Sequence, residues 1–238
     1  MRGKHQPSWC ATALLLASPA LCMLPSSPDA LATETESSPV VAPTAVVDDD
    51  SYTQWVTASW RWDVSNLRAY RVPSPQSHTC VTSGQHGGVW VIGMNEYARE
   101  PSSIVVACSV PAGRYLLDNA PGRICTTVSS PPLHASTPAG LRRCVKVALQ
   151  HNQLVSALTL DGAPLPSPGP RVLTPEFEVR MPPHNNWLYA PGRTAAHAVV
   201  ESQATMLRPL APGPHTLVVT TRNNGTLLGS VTYLLKVQ

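Results

Sequence analysis

Past residue 73, Pro and Gly recur at short intervals, and the runs between them alternate apolar and polar residues or are rich in Val, Leu and Thr. This pattern predicts strands near Val89–Met94, Ser103–Val110, Cys144–Leu149, Leu154–Leu160, Glu176–Arg180, Thr205–Arg208, His215–Thr221 and Leu228–Val237. In the last run Val231, Tyr233, Leu235 and Val237 share one face of a strand. Asp161-Gly162 and Asn223-Asn224-Gly225 carry hairpin-turn chemistry. Only one stretch changes period. Over residues 51–64, Tyr52, Trp55, Val56, Ser59, Trp60 and Asp63 recur at three- and four-residue steps, which predicts a short helix. Asp50 or Ser51 can cap it, and the acids before it suit the positive end of the helix dipole. Many short strands, one short helix and 25 prolines predict an all-β fold, an immunoglobulin-like or jelly-roll β-sandwich. Residues 51–238 form a single domain in this reading.

The chain ahead of that domain reads differently. Arg2 and Lys4 precede the apolar stretch Ala11–Leu21, and Ala30-Leu31-Ala32 offers a small-x-small cleavage site. Residues 1–32 are expected to be a secretory signal peptide, too short in its apolar part to span a bilayer. The protein is then secreted, or periplasmic or attached to the cell envelope, with no transmembrane segment. Residues 33–50 are rich in Thr, Ser, Pro and acid and are expected to be a disordered lead-in. Cys10 and Cys22 leave with the leader. Cys80, Cys108, Cys125 and Cys144 remain, an even set that in an exported chain forms two disulfides. Three connectivities are open. The sequential one, Cys80–Cys108 and Cys125–Cys144, closes each loop locally. A zinc site would need closer pairs such as Cys-x-x-Cys.

Charge is unevenly spread. Residues 33–50 hold five acids and no Lys or Arg, whereas residues 51–238 hold 15 basic and 8 acidic residues, a formal +7. Thirteen of the fifteen are Arg. An anionic partner follows, such as acidic polysaccharide or lipid headgroup. The arginines are single except for Arg142-Arg143, so they can also be ordinary surface charge. A nucleic-acid partner is not expected, because no dense basic stripe with interleaved aromatics occurs.

Motifs for catalysis or cofactors do not assemble. Thr194-Ala-Ala-His197 looks like the stretch around a trypsin-type histidine, but no Asp and no nucleophile loop follow it. There is no Gly-x-Ser-x-Gly elbow, Walker loop or dinucleotide fingerprint, so no cofactor is expected. Gly84–Gly88 reads as a turn into a strand. His78 and His86 could meet across a turn, with Glu96 the closest acid, which is too little for a metal site. Asp48–Asp50 lack the glycine a calcium loop needs. Glu176 and Glu178 share a strand face, the pattern of a solvated side. Asn224-Gly225-Thr226 matches a glycosylation acceptor and equally a hairpin turn.

Several pieces, in order, resemble a family of secreted bacterial proteins of unknown function. They are Trp55–Trp62, then Cys80-x3-Gly84-Gln85-x-Gly-Gly-Val-Trp90, Cys108-Ser-Val-Pro-Ala-Gly113 and Leu141-Arg-Arg-Cys144. Leu158-x-Leu-Asp-Gly-x-Pro-Leu165, Arg171-Val-x-Thr-Pro-x-Phe177, Met206-Leu-x-Pro-Leu-x-Pro-Gly-x-His-Thr-Leu217 and Val231-Thr-Tyr-Leu-Leu follow. The resemblance covers about residues 52–238 and implies export and the sandwich. After Pro111-Ala-Gly-Arg-Tyr115 relatives continue with a Phe-Pro-rich run before Asn; this chain reads Leu116-Leu-Asp-Asn-Ala-Pro. The family supplies no catalytic residues. The expectation is a non-catalytic binding module for a glycan or an anionic envelope component. Trp55, Trp60, Trp62, Arg114, Asp118 and His86 are its candidate ligand-facing residues. At helical spacing the tryptophans can instead bury themselves on a sheet. The competing readings are an extracellular hydrolase with a dispersed site, with Asp118, His78, His86 and Arg114 as suspects, and a structural or adhesive surface protein.

Overall fold

The computed structural model describes residues 38–66, 78–85, 87–92, 102–151, 153–166, 168–181 and 192–238. The leader 1–32, residues 33–37 of the lead-in, His86, Met94 and Glu96 lie outside the described residues. Among those described the chain is mostly β, with two helices and two disulfides.

The lead-in departs first from expectation. Residues 38–51 are part of the fold. Val41 and Val47 are buried, and the Val41 amide donates to the Met206 carbonyl. β1 (Val46–Val47) and β2 (Asp50–Ser51) pair as a hairpin. Asp48 and Asp49 sit at its tip with φ of 49° and 65°. Short acidic side chains tolerate that left-handed backbone, so these acids make a turn rather than a solvated tail. α1 (Tyr52–Ser65) follows at once. Its cap is Ser51, whose hydroxyl accepts from the Gln54 amide while Gln54 Oε1 accepts from the Ser51 amide.

β3 (His78–Thr79), β4 (Val89–Val91), β5 (Ser102–Val110), β6 (Tyr115–Asp118) and β7 (Gly122–Thr126) come next. Cys144–Leu149, expected as a strand, lies instead in a helix, α2 (Pro138–His151). Thr137 caps it through a Gly140 N–H···Oγ1 bond of 3.1 Å, and Pro138 takes the first helical position, where its missing N–H costs nothing. Leu141 and Val145, four apart, form its buried face, and Arg142, Arg143 and Lys146 face water. The remaining strands are β8 (Leu154–Leu160), β9 (Ala163–Pro164), β10 (Arg171–Leu173), β11 (Phe177–Arg180), β12 (Ala195–Gln203), β13 (Thr205–Leu207), β14 (Gly213–Asn223) and β15 (Thr226–Val237).

Three larger sheets arise. The first has the order β3-β5-β15-β14-β8-β9; β3, β5 and β15 run parallel and the rest antiparallel. A second, β13-β6-β4, is fully buried along β4 and β13, because both of its faces are covered. Trp90, Leu116 and Leu207 point to the six-stranded sheet and pack with Val106, Leu217, Val231 and Tyr233. Val89, Leu117 and Met206 point the other way, to α1. The third sheet places β7 on one edge of β12 and β10 and β11 on the other. Ile124, Val179, Ala198 and Val200 meet α1 on one face, and Cys125 and Val199 meet Leu141 and Val145 of α2 on the other. α1 is therefore an inner helix between sheets, whereas α2 is an outer one.

The β8–β9 turn is tied to the start of β14. His215 Nδ1 lies 2.7 Å from Asp161 Oδ2 and Nε2 lies 2.9 Å from the Ala211 carbonyl, while Asp161 Oδ1 accepts the Thr216 amide. The Asp161 hydrogen bond raises the His215 pKa above its usual 6.5, and the same bond, with the Thr216 amide, lowers that of Asp161. Histidine's contribution is fully present below about pH 6.5 and is lost as pH rises through its raised folded value. That of Asp161 is present above its usual 3.8 and lost as pH falls through its lowered folded value. Asp161→Asn is expected to flatten stability between about pH 6 and 8 in urea melts. The change stays under about 1 kcal/mol, because the carboxylate is 48% exposed and solvent screens the pair.

Candidate functional site

The polar groups of α1 converge with β6 in the interior. Each indole N–H of the helix reaches a different segment. Trp55 donates to the Val47 carbonyl at 2.8 Å, Trp60 to Ser202 Oγ at 3.2 Å, and Trp62 to the Ser83 carbonyl at 2.8 Å. Tyr52 Oη donates to the Ala204 carbonyl and accepts from the Met206 amide. Burial pushes its pKa up to about 12, so it stays a neutral phenol. Four rings thus pin β1, β12, the 81–85 loop and β13 to one helix.

Deeper along the same stripe lie Ser59, Asp63, Asp118 and Asn119, all within 2% of full burial. Asn119 Nδ2 donates to Asp63 Oδ2 at 2.6 Å and to Ser59 Oγ at 2.9 Å. Ser59 in turn donates to the Val56 carbonyl. A buried carboxylate is costly unless such donors satisfy it. Here the carboxylate–amide–hydroxyl chain fixes how α1 is rotated against β6. None of its members presents surface to a ligand.

The expected site residues are scattered by this arrangement. Trp55, Trp60 and Trp62 are buried and form no exposed platform; the rings fill the space between sheets, where apolar area is worth most. Asp118 closes β6 inside the core, so it does not face a ligand either. Arg114 is half-buried just before β6. His78 contributes its backbone to β3, opposite Val106; His86 lies outside the described residues. Cys80 is bonded to Cys108, with Cα atoms 5.0 Å apart, and Cys125 to Cys144, with Cα atoms 6.1 Å apart. His197 lies exposed on β12, 2.8 Å from Glu176 Oε1 and across the ladder from Glu178. Among the described residues no group of three His, Cys, Asp or Glu could hold a metal. Sequence reasoning missed Asn119. Its partners were visible, since Ser59 and Asp63 fall in the tryptophan stripe, and a polar residue in a buried stripe demands a buried partner.

No family model matches the chain, and no curated protein matches it. A solved structure described as PbICP-C in complex with falcipain-2 matches 62% of this chain and 98% of that one, at 9% identity and a TM-score of 0.28. A likeness at that score carries no argument. No described helix is long and apolar enough to cross a membrane.

Proposed function

We propose that this chain is an exported β-sandwich that works as a non-catalytic binding module of the extracellular space or cell envelope. The six-stranded and β13-β6-β4 sheets, packed through one apolar layer, support the sandwich. Two disulfides support an oxidising compartment, as does the leader-like start of the sequence. The ordered pieces shared with secreted bacterial proteins of unknown function point the same way.

One observation carries the binding reading. The acids and aromatics best suited to chemistry are sealed inside, held by Asn119, Ser59 and main-chain carbonyls. Function then falls to the outer surface of a rigid, disulfide-stapled scaffold. The test is to incubate the chain from Thr33 onward with envelope polysaccharides and with a panel of hydrolase substrates. Saturable binding without turnover is the expected result. Turnover that Arg114→Ala abolishes in a protein that still melts as the parent would replace the module with a hydrolase.

A further inference from the structure

We propose that the solvent-facing side of α2 is the binding surface and that its ligand is an acidic polysaccharide, a glycan bearing repeated carboxylate or sulfate groups. This rests on the reading of the chain as a binding module. Arg142, Arg143 and Lys146 are all exposed on this helix, and His151 is exposed in its last turn. Residues 142 and 146 stand about 6 Å apart along the axis, on one face. None of the three cations makes an ion pair among the described residues; the pairs there are Arg180–Glu178, His197–Glu176 and His215–Asp161.

The surroundings hold little countercharge. From Asn119 to Leu160 the chain has four Lys or Arg, two His and no Asp or Glu. That stretch includes β7, on which α2 packs. The other supporting strand, β12, brings Glu201, half-buried and opposite Arg123 in register. Like charges four apart weaken a helix slightly. Here the opposite face compensates, through buried Leu141 and Val145 and through Cys144, which is bonded to fully buried Cys125. The disulfide sits between Arg143 and Lys146. It anchors the helix backbone that carries the cations before any ligand arrives, so binding need not order the helix itself.

The chemistry of the face selects among anions. Two guanidinium forks match carboxylate and sulfate oxygens. A membrane surface would want aromatic or leucine side chains beside the cations, and the large apolar residue exposed on α2 is Val147 alone. Single-stranded nucleic acid would want Phe, Tyr or Trp rings interleaved with the cations for stacking, and α2 has none of these, His151 in its last turn being its one ring.

The experiment measures binding of the disulfide-intact chain to heparin and to polygalacturonate, with dextran as the neutral control, over a series of salt concentrations. Expected are binding to the acidic polymers that weakens with salt, and a loss of about tenfold or more in Arg142→Glu/Arg143→Glu/Lys146→Glu. The Gln triple variant should lose less, and both should melt as the parent does, since the three side chains are exposed. Equal binding by the Glu variant overturns the proposal. So does tighter binding to phosphatidylglycerol vesicles or single-stranded DNA, or binding to neutral envelope glycan alone. That last result would leave the binding module standing, whereas substrate turnover would remove the module itself.

Discussion

Replacing Trp60 with alanine is expected to cost about 4 kcal/mol and to leave little folded protein. The ring is 1% exposed and belongs to the core that joins α1 to the β12 sheet. Its Nε1–H is bonded to Ser202, itself buried, so truncation removes a large apolar body and strands a hydroxyl at once. The neighbourhood is already tight. A Cβ built on Gly122 would lie 2.6 Å from Trp60 Cζ2 and 2.6 Å from Ser202 Cβ, which explains a glycine at the start of β7. Trp60→Phe keeps most of the volume and loses the donor, so a smaller loss of about 1–2 kcal/mol is expected. Urea denaturation of both variants gives the comparison. A Trp60→Ala protein within about 1 kcal/mol of the parent would mean the helix is not the hub described above.

The second large effect is expected from Cys125→Ser/Cys144→Ser. The bridge spans 19 positions, and closing a loop of that size restricts the unfolded chain by about 3 kcal/mol. The loss should appear in guanidinium melts and should be local in hydrogen exchange. Amides of α2 gain exchange because Leu141 and Val145 alone then hold the helix, while β14 and β15 keep their protection. Uniform deprotection of both regions would show that the bridge supports the whole molecule rather than one helix.

Particular elements show what the sequence made legible. The period change over 51–64 corresponds to α1 at Tyr52–Ser65, and the run Leu154–Leu160 is β8 to the residue. Those segments have one buried stripe or face, so their patterns are clean. α2 was misread because Val145-Lys146-Val147 alternates and because Pro138 and Gly140 look like breakers. The helix-start logic of Thr137 and Pro138 outweighs both. β6 and β7 were missed because β6 is buried on two sides and shows no alternation, and because Asn119, Ala120 and Pro121 interrupt the run. β12 hid behind its histidine. Thr194-Ala-Ala-His197 drew attention as a protease-like motif, and burial along Ala195–Gln203 alternates only over its first four residues before Ala198, Val199 and Val200 are buried in succession. The tryptophans were placed on the right helix, but whether a stripe of rings faces a ligand or a sheet depends on β7, β12 and β13. Those partners lie more than fifty residues away in the chain.

The position of β15 has a consequence for how the molecule is made. It lies between β5 and β14, and its parallel partner β5 is 127 positions earlier in the chain. A ribosome completes β5 long before the strand that will flank it exists. Until β15 emerges, the edge of β5 that it will occupy has no strand to pair with, although Trp90 and Leu116, which cover Val106, Cys108 and Val110, are already made. Such distant pairing is slow to form and leaves nascent chains sticky. The largest layer is therefore completed only once β15, which joins β5 to the β14 hairpin, has been made.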